Sequence, residues 1–241
     1  MSGLKYKILI PVMAEVEEFK RCVNKCPDKS KLIIINNWDN EEIANYCSML
    51  EEQGAELHKH PENLGCGPSW NIGIRKLQQT LDYIIILSPA ALFTYSVEDF
   101  ADIVEKMEAE APGYFYHSIG TYKTDTHAFA ITRRCYQEVG LFDENFYPIY
   151  FEDTDYQYRM KLIGKEKTPV HPPRICQGLS MGVGKDKRIF DLYWKNIDHI
   201  HDYYIRKWGG DHNQEKFKTP FNDPNLSIKH WSLEEDKIIR S

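Results

Sequence analysis

The chain has 241 residues, enough to bury a sizeable core within one domain. Its 30 Lys and Arg stand against 36 Asp and Glu, and a net charge of −6 gives nucleic acid no overall basic field to bind. No apolar run approaches the ~20 residues of a membrane-spanning helix, and the polar start before Lys7-Ile8-Leu9-Ile10 is unlike a secretory signal, so the expectation is a soluble protein.

In chain order, Lys5–Pro11 reads as a strand ending at proline and Glu15–Asn24 as a polar helix. Lys31–Asn36 (KLIIIN) is an apolar strand; Asn40–Glu52 follows with Ile43, Tyr46, Cys47 and Leu50 at helical spacing. Ala55–His58 predicts a short strand, Ser69–Thr80 a helix, Asp82–Leu87 (DYIIIL) a buried strand, and Ser96–Ala109 a helix. This βαβα alternation argues a Rossmann-like α/β domain with a mostly parallel central sheet flanked by helices. Beyond it, Tyr114–His117 and Thr126–Thr132 read as strands, and Cys135–Val139 as a helical turn. Asp153–Leu162 and Arg188–Trp208 read as helices, the second rich in Tyr, Trp and His. There is no repeat and no dividing linker. One domain over 1–222 is expected, with a nucleotide-binding half (1–95), an acceptor-binding half (96–222) and a tail (223–241).

Cys22, Cys26, Cys47, Cys66, Cys135 and Cys176 share no repeated spacing, and no second Cys or His pair completes a zinc pattern. Free thiols in a reducing compartment, the cytoplasm, are the expectation. His58 and His60 flank Lys59 beside Pro61, the pattern of an exposed strand end and not of a metal site.

In open α/β sheets ligands sit outside the carboxyl ends of the strands, so the strand-to-helix junctions carry the chemistry. The first is Pro11-Val12-Met13-Ala14 and the second Asn36-Asn37-Trp38-Asp39-Asn40, whose amides and Asp suit a base edge. Asn and Asp are equally ordinary loop and N-cap residues there. The third is Asn63-Leu64-Gly65-Cys66-Gly67-Pro68-Ser69-Trp70-Asn71. Its glycines let backbone approach a ligand, and the following helix N-terminus would offer N–H groups to a phosphate. It is neither a P-loop nor a GxGxxG fingerprint. The fourth junction is Ser88-Pro89-Ala90-Ala91.

Gly140 to Gly164 (GLFDENFYPIYFEDTDYQYRMKLIG) sets Asp143, Glu144, Glu152, Asp153 and Asp155 among Phe142, Phe146, Tyr147, Tyr150 and Phe151. Aromatic walls lower the local dielectric and raise a carboxylate's pKa, which suits a general base. The same acids would also complement a helix dipole, and Asp155 and Arg159 are spaced to pair on one helix face. Tyr147 and Tyr150, inside the acidic block, are the aromatics placed to stack on a ligand ring. Trp70, Trp194, Tyr203, Tyr204 and Trp208 read as packing residues, and His127 as a strand residue.

These blocks together resemble the family 2 glycosyltransferases of the A-type fold, close to the rhamnosyltransferase-like members. NLGCGPSWNIGIRK is similar to that family's N-x-G-x-x-x-x-x-N-x-G signature, and GLFDENFYPIYFEDTDYQYRMKLIG to its G-x-F-D-E…F-E-D-x-D…R…G block. HDYYIRKWGG (201–210) and Thr219-Pro220-Phe221-Asn222 look like a C-terminal segment of some members. The resemblance spans roughly residues 5–222. It implies that Pro11, Val12, Asn37 and Asp39 hold the base and ribose of a nucleoside diphosphate sugar, a UDP-sugar by default. Asn63, Gly65 and Asn71 would line the ribose and diphosphate, with Ser88 and Ala90 also at the donor. Asp153 would be the base that deprotonates a carbohydrate acceptor, with Glu152 or Asp155 orienting acceptor or base. The implied reaction is an inverting transfer of a hexose or deoxyhexose.

Two departures stand out. Family members place a metal-binding aspartate of an Asp-x-Asp motif where this chain has Ser88-Pro89-Ala90, and many place His-x-Gly where it has Cys176-Gln177-Gly178. Alanine cannot ligate a hard cation. One explanation is action without Mn²⁺ or Mg²⁺, with helix N-termini, Arg174, Lys185, Lys187 or Arg188 offsetting the diphosphate charge. A second is a metal held by other ligands such as Asp153. The third is a chain without catalysis, whether by evolution or by an engineered Asp-to-Ala change. The alternative function is accordingly a non-catalytic sugar-nucleotide or glycan-binding module on the same fold. A nucleotidyltransferase would need a basic Gly-rich phosphate loop near the N-terminus, where Pro11–Glu18 is acidic instead.

Overall fold

The computed structural model describes residues 3–37, 40–94, 96–118, 127–170, 176–178 (backbone only) and 187–229. A seven-stranded sheet forms the centre. Its first strands are β1 (Tyr6–Val12), β2 (Leu32–Asn36), β3 (Glu56–Lys59) and β4 (Tyr83–Leu87), joined through helices α1 (Val16–Asn24), α2 (Glu41–Glu52) and α3 (Cys66–Ile74). A short β5 (Ala91–Phe93) and helix α4 (Val97–Glu110) follow. The second half adds β6 (Phe115–His117), β7 (Ala128–Thr132), α5 (Arg133–Val139), α6 (Glu152–Leu162), β8 (Lys167–Pro169), β9 (Cys176–Gly178) and α7 (Lys187–Trp208).

The sheet order is β3-β2-β1-β4-β7-β6-β8. β1, β2, β3 and β4 pair in parallel, β7 runs antiparallel between β4 and β6, and β8 returns parallel to β6. The mostly parallel α/β sheet expected from the sequence is therefore present. Its apolar strands are buried on both faces: all five residues of β2, β4 and β7 are buried. Alternate residues serve opposite layers. Ile8, Ile10, Ile34, Ile85 and Leu87 pack with α1, α2 and α4 through Phe19, Cys47, Phe100 and Val104. Leu9, Ile33, Ile35, Ile84 and Ile86 pack on the other face with Ile74, Val139, Phe142, Tyr156 and Met160 from α3, α5, α6 and the 140s loop. Each such aliphatic side chain contributes roughly 1.5–3 kcal/mol on burial.

The strand and helix boundaries of the first half agree with the periodicity within a residue or two, except at α3. That helix starts at Cys66 instead of Ser69 and gives way to a 3-10 turn at Arg75–Gln78. Gly65, with φ +84°, turns the chain directly into it, and Pro68 is tolerated in a first turn whose N–H groups have no intrahelical partner. Three-residue β5, β8 and β9 were too short to leave a periodic signal.

A third apolar cluster joins Phe146 and Tyr158 to Ile200, Tyr203, Tyr204 and Trp208 of α7. The carboxyl-terminal half of α7 thus clamps the acidic block. Trp194 departs from the packing role expected of it: its residue is 56% exposed. Among the described residues, no helix is long and apolar enough to cross a membrane.

Candidate active site

The acidic block is held in place by a buried ion network. Asp143, Asp155, Arg159 and Lys207 are all fully inaccessible. Lys207 Nζ lies 2.7 Å from Asp143 Oδ2 and 2.6 Å from Asp155 Oδ1. Arg159 Nε donates to Asp155 Oδ2 at 2.8 Å, Trp208 Nε1 to Asp155 Oδ1 at 2.8 Å, and Tyr203 OH to Asp143 Oδ2 at 2.8 Å. Two negative and two positive charges cancel, as burial demands. Burial pushes the Asp155 carboxyl upward, but Arg159 and Lys207 overcome it and hold the group below its ordinary range. Asp143 is raised by burial beyond what its share of Lys207 offsets. Asp155 was expected to orient an acceptor or the base. With both oxygens engaged and no accessible surface, it is instead a counter-ion that locks α6 to α7.

Asp153 and Glu152 meet different fates two and three residues earlier. Both open α6, after Tyr150 (φ +79°) and Phe151 (φ +68°), two consecutive non-glycine residues in left-handed backbone. Such conformations cost on the order of 1–3 kcal/mol each and persist where packing imposes them, often at functional sites. They aim the helix start away from the Asp143–Asp155 network. Glu152 is only 4% exposed, and its Oε2 has no hydrogen-bond partner. Burial first, then the neighbouring Asp153 charge, raises its carboxyl well above the ordinary range. Asp153 is half-buried; Thr154 N donates to its Oδ1 at 2.8 Å, and its Oδ2 makes no hydrogen bond among the described residues. Lys167 on β8 feels the Asp153 charge, although burial lowers its own pKa. His117 on β6 is lowered in turn by burial and by Lys167. Nothing in the sequence pattern singled out Lys167 or His117; the β6–β8 pairing brings the two together, and Lys167 within reach of the Asp153 charge.

The asparagines assigned to the donor are largely engaged in scaffolding. Asn71, fully buried, accepts from Phe142 N at 2.9 Å and donates to Phe142 O and Glu144 Oε1, each at 2.9 Å. It stitches α3 to the acidic block and has no face left for a diphosphate. Asn63 Oδ1 accepts from Gly65 N at 2.9 Å, and its carbonyl accepts from Tyr147 OH at 3.0 Å. Asn37 Nδ2 donates to Ser69 Oγ at 2.8 Å. Gly65 is needed for close approach: a Cβ there would sit 2.9 Å from both Pro148 O and Tyr147 Cδ2. The start of α3 is also covered. Cys66 N donates to Pro148 O at 2.9 Å, and a Cβ at Gly67 would lie 3.2 Å from Asp143 O. It is therefore not the open phosphate cradle that its glycines suggested. Tyr147, 7% exposed, is a wall of this joint and not a free stacking face.

Toward the carboxyl ends of β1 and β2, Val12 is buried and its carbonyl accepts from Asn37 N at 2.9 Å, while Pro11 is half-buried. Trp38 and Asp39 lie outside the described residues. A cleft of about 590 Å³ is lined by Asn40, Glu41, Glu42, Asn45 and Arg188. Arg188 brings a cation from α7 to the loop assigned to the base. Lys187 pairs with Asp191, and Arg174 and Lys185 lie outside the described residues.

At the end of β4, Ser88 Oγ accepts from Ala90 N at 3.2 Å and Ser88 O from Ala91 N at 2.9 Å, closing a tight turn into β5. β5 pairs antiparallel with β9, setting Ala91 opposite Gly178 and Phe93 opposite Cys176. The ladder thus sets Gly178 of the second departure beside the end of the first, with Cys176 farther along it. Ala90 is 3% exposed, and no group of three or more His, Cys, Asp or Glu among the described residues is arranged to hold a metal. Among the described residues, this end of the sheet presents no ligand set for a hard divalent cation. Cys22, Cys26, Cys47, Cys66 and Cys135 form no disulfide, and burial raises the Cys66 thiol well above its usual range, reinforced by Glu152 and Asp153.

No family model matches the chain. Part of it is similar to a galactofuranosyl glycosyltransferase of Leishmania donovani, 34% identical over 87 residues, or 35% of this chain and 19% of the relative. The chain spans about a fifth of that relative. Among solved structures it is similar to the mannosyltransferase PcManGT from Pyrobaculum calidifontis, in complex with GDP-Man and Mn²⁺ (TM-score 0.57, 13% identity, 83% of this chain and 61% of that one). It is also similar to GalNAc-T7 with UDP, GalNAc and Mn²⁺ (TM-score 0.56, 14% identity, 86% and 50%). S. aureus TarS 1–349 in complex with UDP aligns at TM-score 0.57 with 9% identity, over 88% of this chain and 74% of that one. The fold is that of the A-type glycosyltransferases.

Proposed function

We propose that the chain is an inverting glycosyltransferase, rhamnosyltransferase-like in its motifs, moving a hexose or deoxyhexose from a nucleoside diphosphate sugar to a carbohydrate hydroxyl. The observation that carries the reading is the contrast at the start of α6. Glu152 is buried with its Oε2 unpartnered and its carboxyl pKa raised by burial, whereas Asp153 beside it is half-exposed, its Oδ2 without a hydrogen bond among the described residues. A sugar hydroxyl is a poor nucleophile, so a positioned carboxylate must take its proton as the bond forms. Asp153 accepts that proton, the acceptor oxygen bonds to the anomeric carbon, and the diphosphate departs with the electron pair of the bond it loses. The base and ribose would lie at Pro11, Val12, Asn37 and Asp39, with Arg188 lining the cleft at Asn40. A UDP-sugar is the donor we favour. Ser88 and Ala90 give no anionic ligand at the donor, which supports transfer without a strict Mn²⁺ or Mg²⁺ requirement.

The test is Asp153→Asn, assayed with a panel of UDP-, GDP- and dTDP-sugars. The expected result is a loss of transfer of about 10²–10⁴-fold, the range of a general base, with the donor's stabilisation of the fold retained. Unchanged turnover would remove Asp153 from the mechanism. An unmodified chain that binds a sugar nucleotide but never transfers would establish the binding-module alternative, which Ala90 favours.

A further inference from the structure

The two halves of α7 differ in what covers them. Ile200, Tyr203, Tyr204 and Trp208 are fully buried, while Phe190 and Trp194 are 44% and 56% exposed. The exposed rings touch one another: Phe190–Trp194 at 5.8 Å between centroids and Tyr193–Trp194 at 5.3 Å, both inclined by about 60°. Tyr193 meets Tyr150 edge-on at 5.0 Å, and Tyr150 stands two residues before Glu152 and three before Asp153. A track of rings therefore runs from solvent at Trp194 through Tyr193 to Tyr150, just ahead of the start of α6.

We propose that Phe190, Tyr193 and Trp194 form the platform on which the acceptor oligosaccharide lies, with Tyr150 as the ring nearest the reacting hydroxyl. The inference rests on the glycosyl-transfer reading for its orientation toward Asp153. A pyranose presents a flat C–H face and a rim of hydroxyls. The flat face suits exposed rings, and the rim suits the charged side chains of Lys187, Arg188, Asp191 and Lys195 on the same half-helix. The size also favours this occupant. An aromatic residue buries 150–250 Å², so two rings half exposed offer roughly 200 Å². A stable protein interface needs about 800 Å² per partner, which this patch does not approach.

The probe is an array of immobilised oligosaccharides ending in galactose, mannose, N-acetylglucosamine or xylose, presented to the full chain and to Trp194→Ala and Phe190→Ala. Both substitutions lie at exposed positions and leave the core intact. The parent is expected to bind at least one arrayed glycan. Trp194→Ala should weaken that binding at least tenfold and Phe190→Ala less, while thermal stabilisation by nucleoside diphosphate sugars stays unchanged. Asp153→Asn should keep glycan binding. The proposal is overturned if the parent binds no glycan, if Trp194→Ala binds as the parent does, or if the substitutions alter only phosphatidylserine-vesicle binding or self-association in sedimentation. If no nucleotide sugar stabilises the parent, the transfer reading fails separately. Trp194-dependent glycan binding would still support the platform in that case.

Discussion

Glu152 and Asp153 are adjacent carboxylates that the fold separates chemically. Burial and the Asp153 charge hold the Glu152 proton well above its ordinary value of 4.5. The folded state therefore binds that proton more tightly than the unfolded chain. The stability it lends is complete below pH about 4.5 and declines as pH rises toward the raised folded value. Glu152→Gln removes this dependence. Urea denaturation should show the variant gaining on the parent progressively as pH increases from 4.5, and parallel curves would contradict the assignment. Asn71 is a second residue whose setting decides its role. Its amide satisfies both backbone groups of Phe142 in the interior. Asn71→Ala should cost roughly 2–4 kcal/mol, since each orphaned buried group carries about 1–3 kcal/mol. Nucleotide binding by the folded fraction should survive, where a residue touching the diphosphate would lose it.

Between elements, the joint of α6, α7 and the 140s loop depends on Lys207. Lys207→Met leaves Asp143 without its cation and Asp155 with Arg159 alone, all at inaccessible positions. Removing one partner of a buried pair costs roughly 3–5 kcal/mol, readable as a lower denaturation midpoint with unchanged slope. Adding Asp143→Asn should recover part of the loss, because the uncompensated charge leaves with it. The joint of α3 with the same loop depends instead on close approach. Gly65→Ala puts a Cβ at φ +84° and 2.9 Å from Pro148 O, so it should destabilise by at least about 1–3 kcal/mol and displace Tyr147 from Asn63. Circular dichroism melting, with Gly164→Ala as a control that has φ +69° but no neighbour within 4 Å, separates the contact from the backbone term.

For the molecule as a whole, donor binding should raise the melting temperature with added nucleotide sugar, and UDP-sugars should do so at the lowest concentration. Chelation by EDTA is expected to leave the shift and the turnover largely intact, while a complete loss restored by Mn²⁺ would place a metal on ligands other than the β4 end. The architecture that organises these experiments was legible in the chain itself. KLIIIN and DYIIIL are continuously apolar because their strands are covered on both faces, so they announced a parallel layered sheet before any coordinates. The Asn63–Asn71 and Gly140–Gly164 blocks were likewise visible as unusual, since glycine and buried polar residues cluster where backbones meet closely. What each residue in them does was not. Asp153 and Asp155 are two positions apart and chemically alike, yet one faces accessible space and the other is neutralised by a lysine 52 residues later. Trp194 and Trp208 share one helix, and only the packing of Phe146 and Tyr158 against its last turns decides which is core. Local spacing and hydropathy report on an element's own faces; they carry no information on the partner that long-range folding brings to each face. The sequence by itself thus determined the layered α/β fold and the two blocks at its joint. The tertiary structure alone decided which carboxylate is a counter-ion, which asparagine is a strut, and which aromatics remain in solvent.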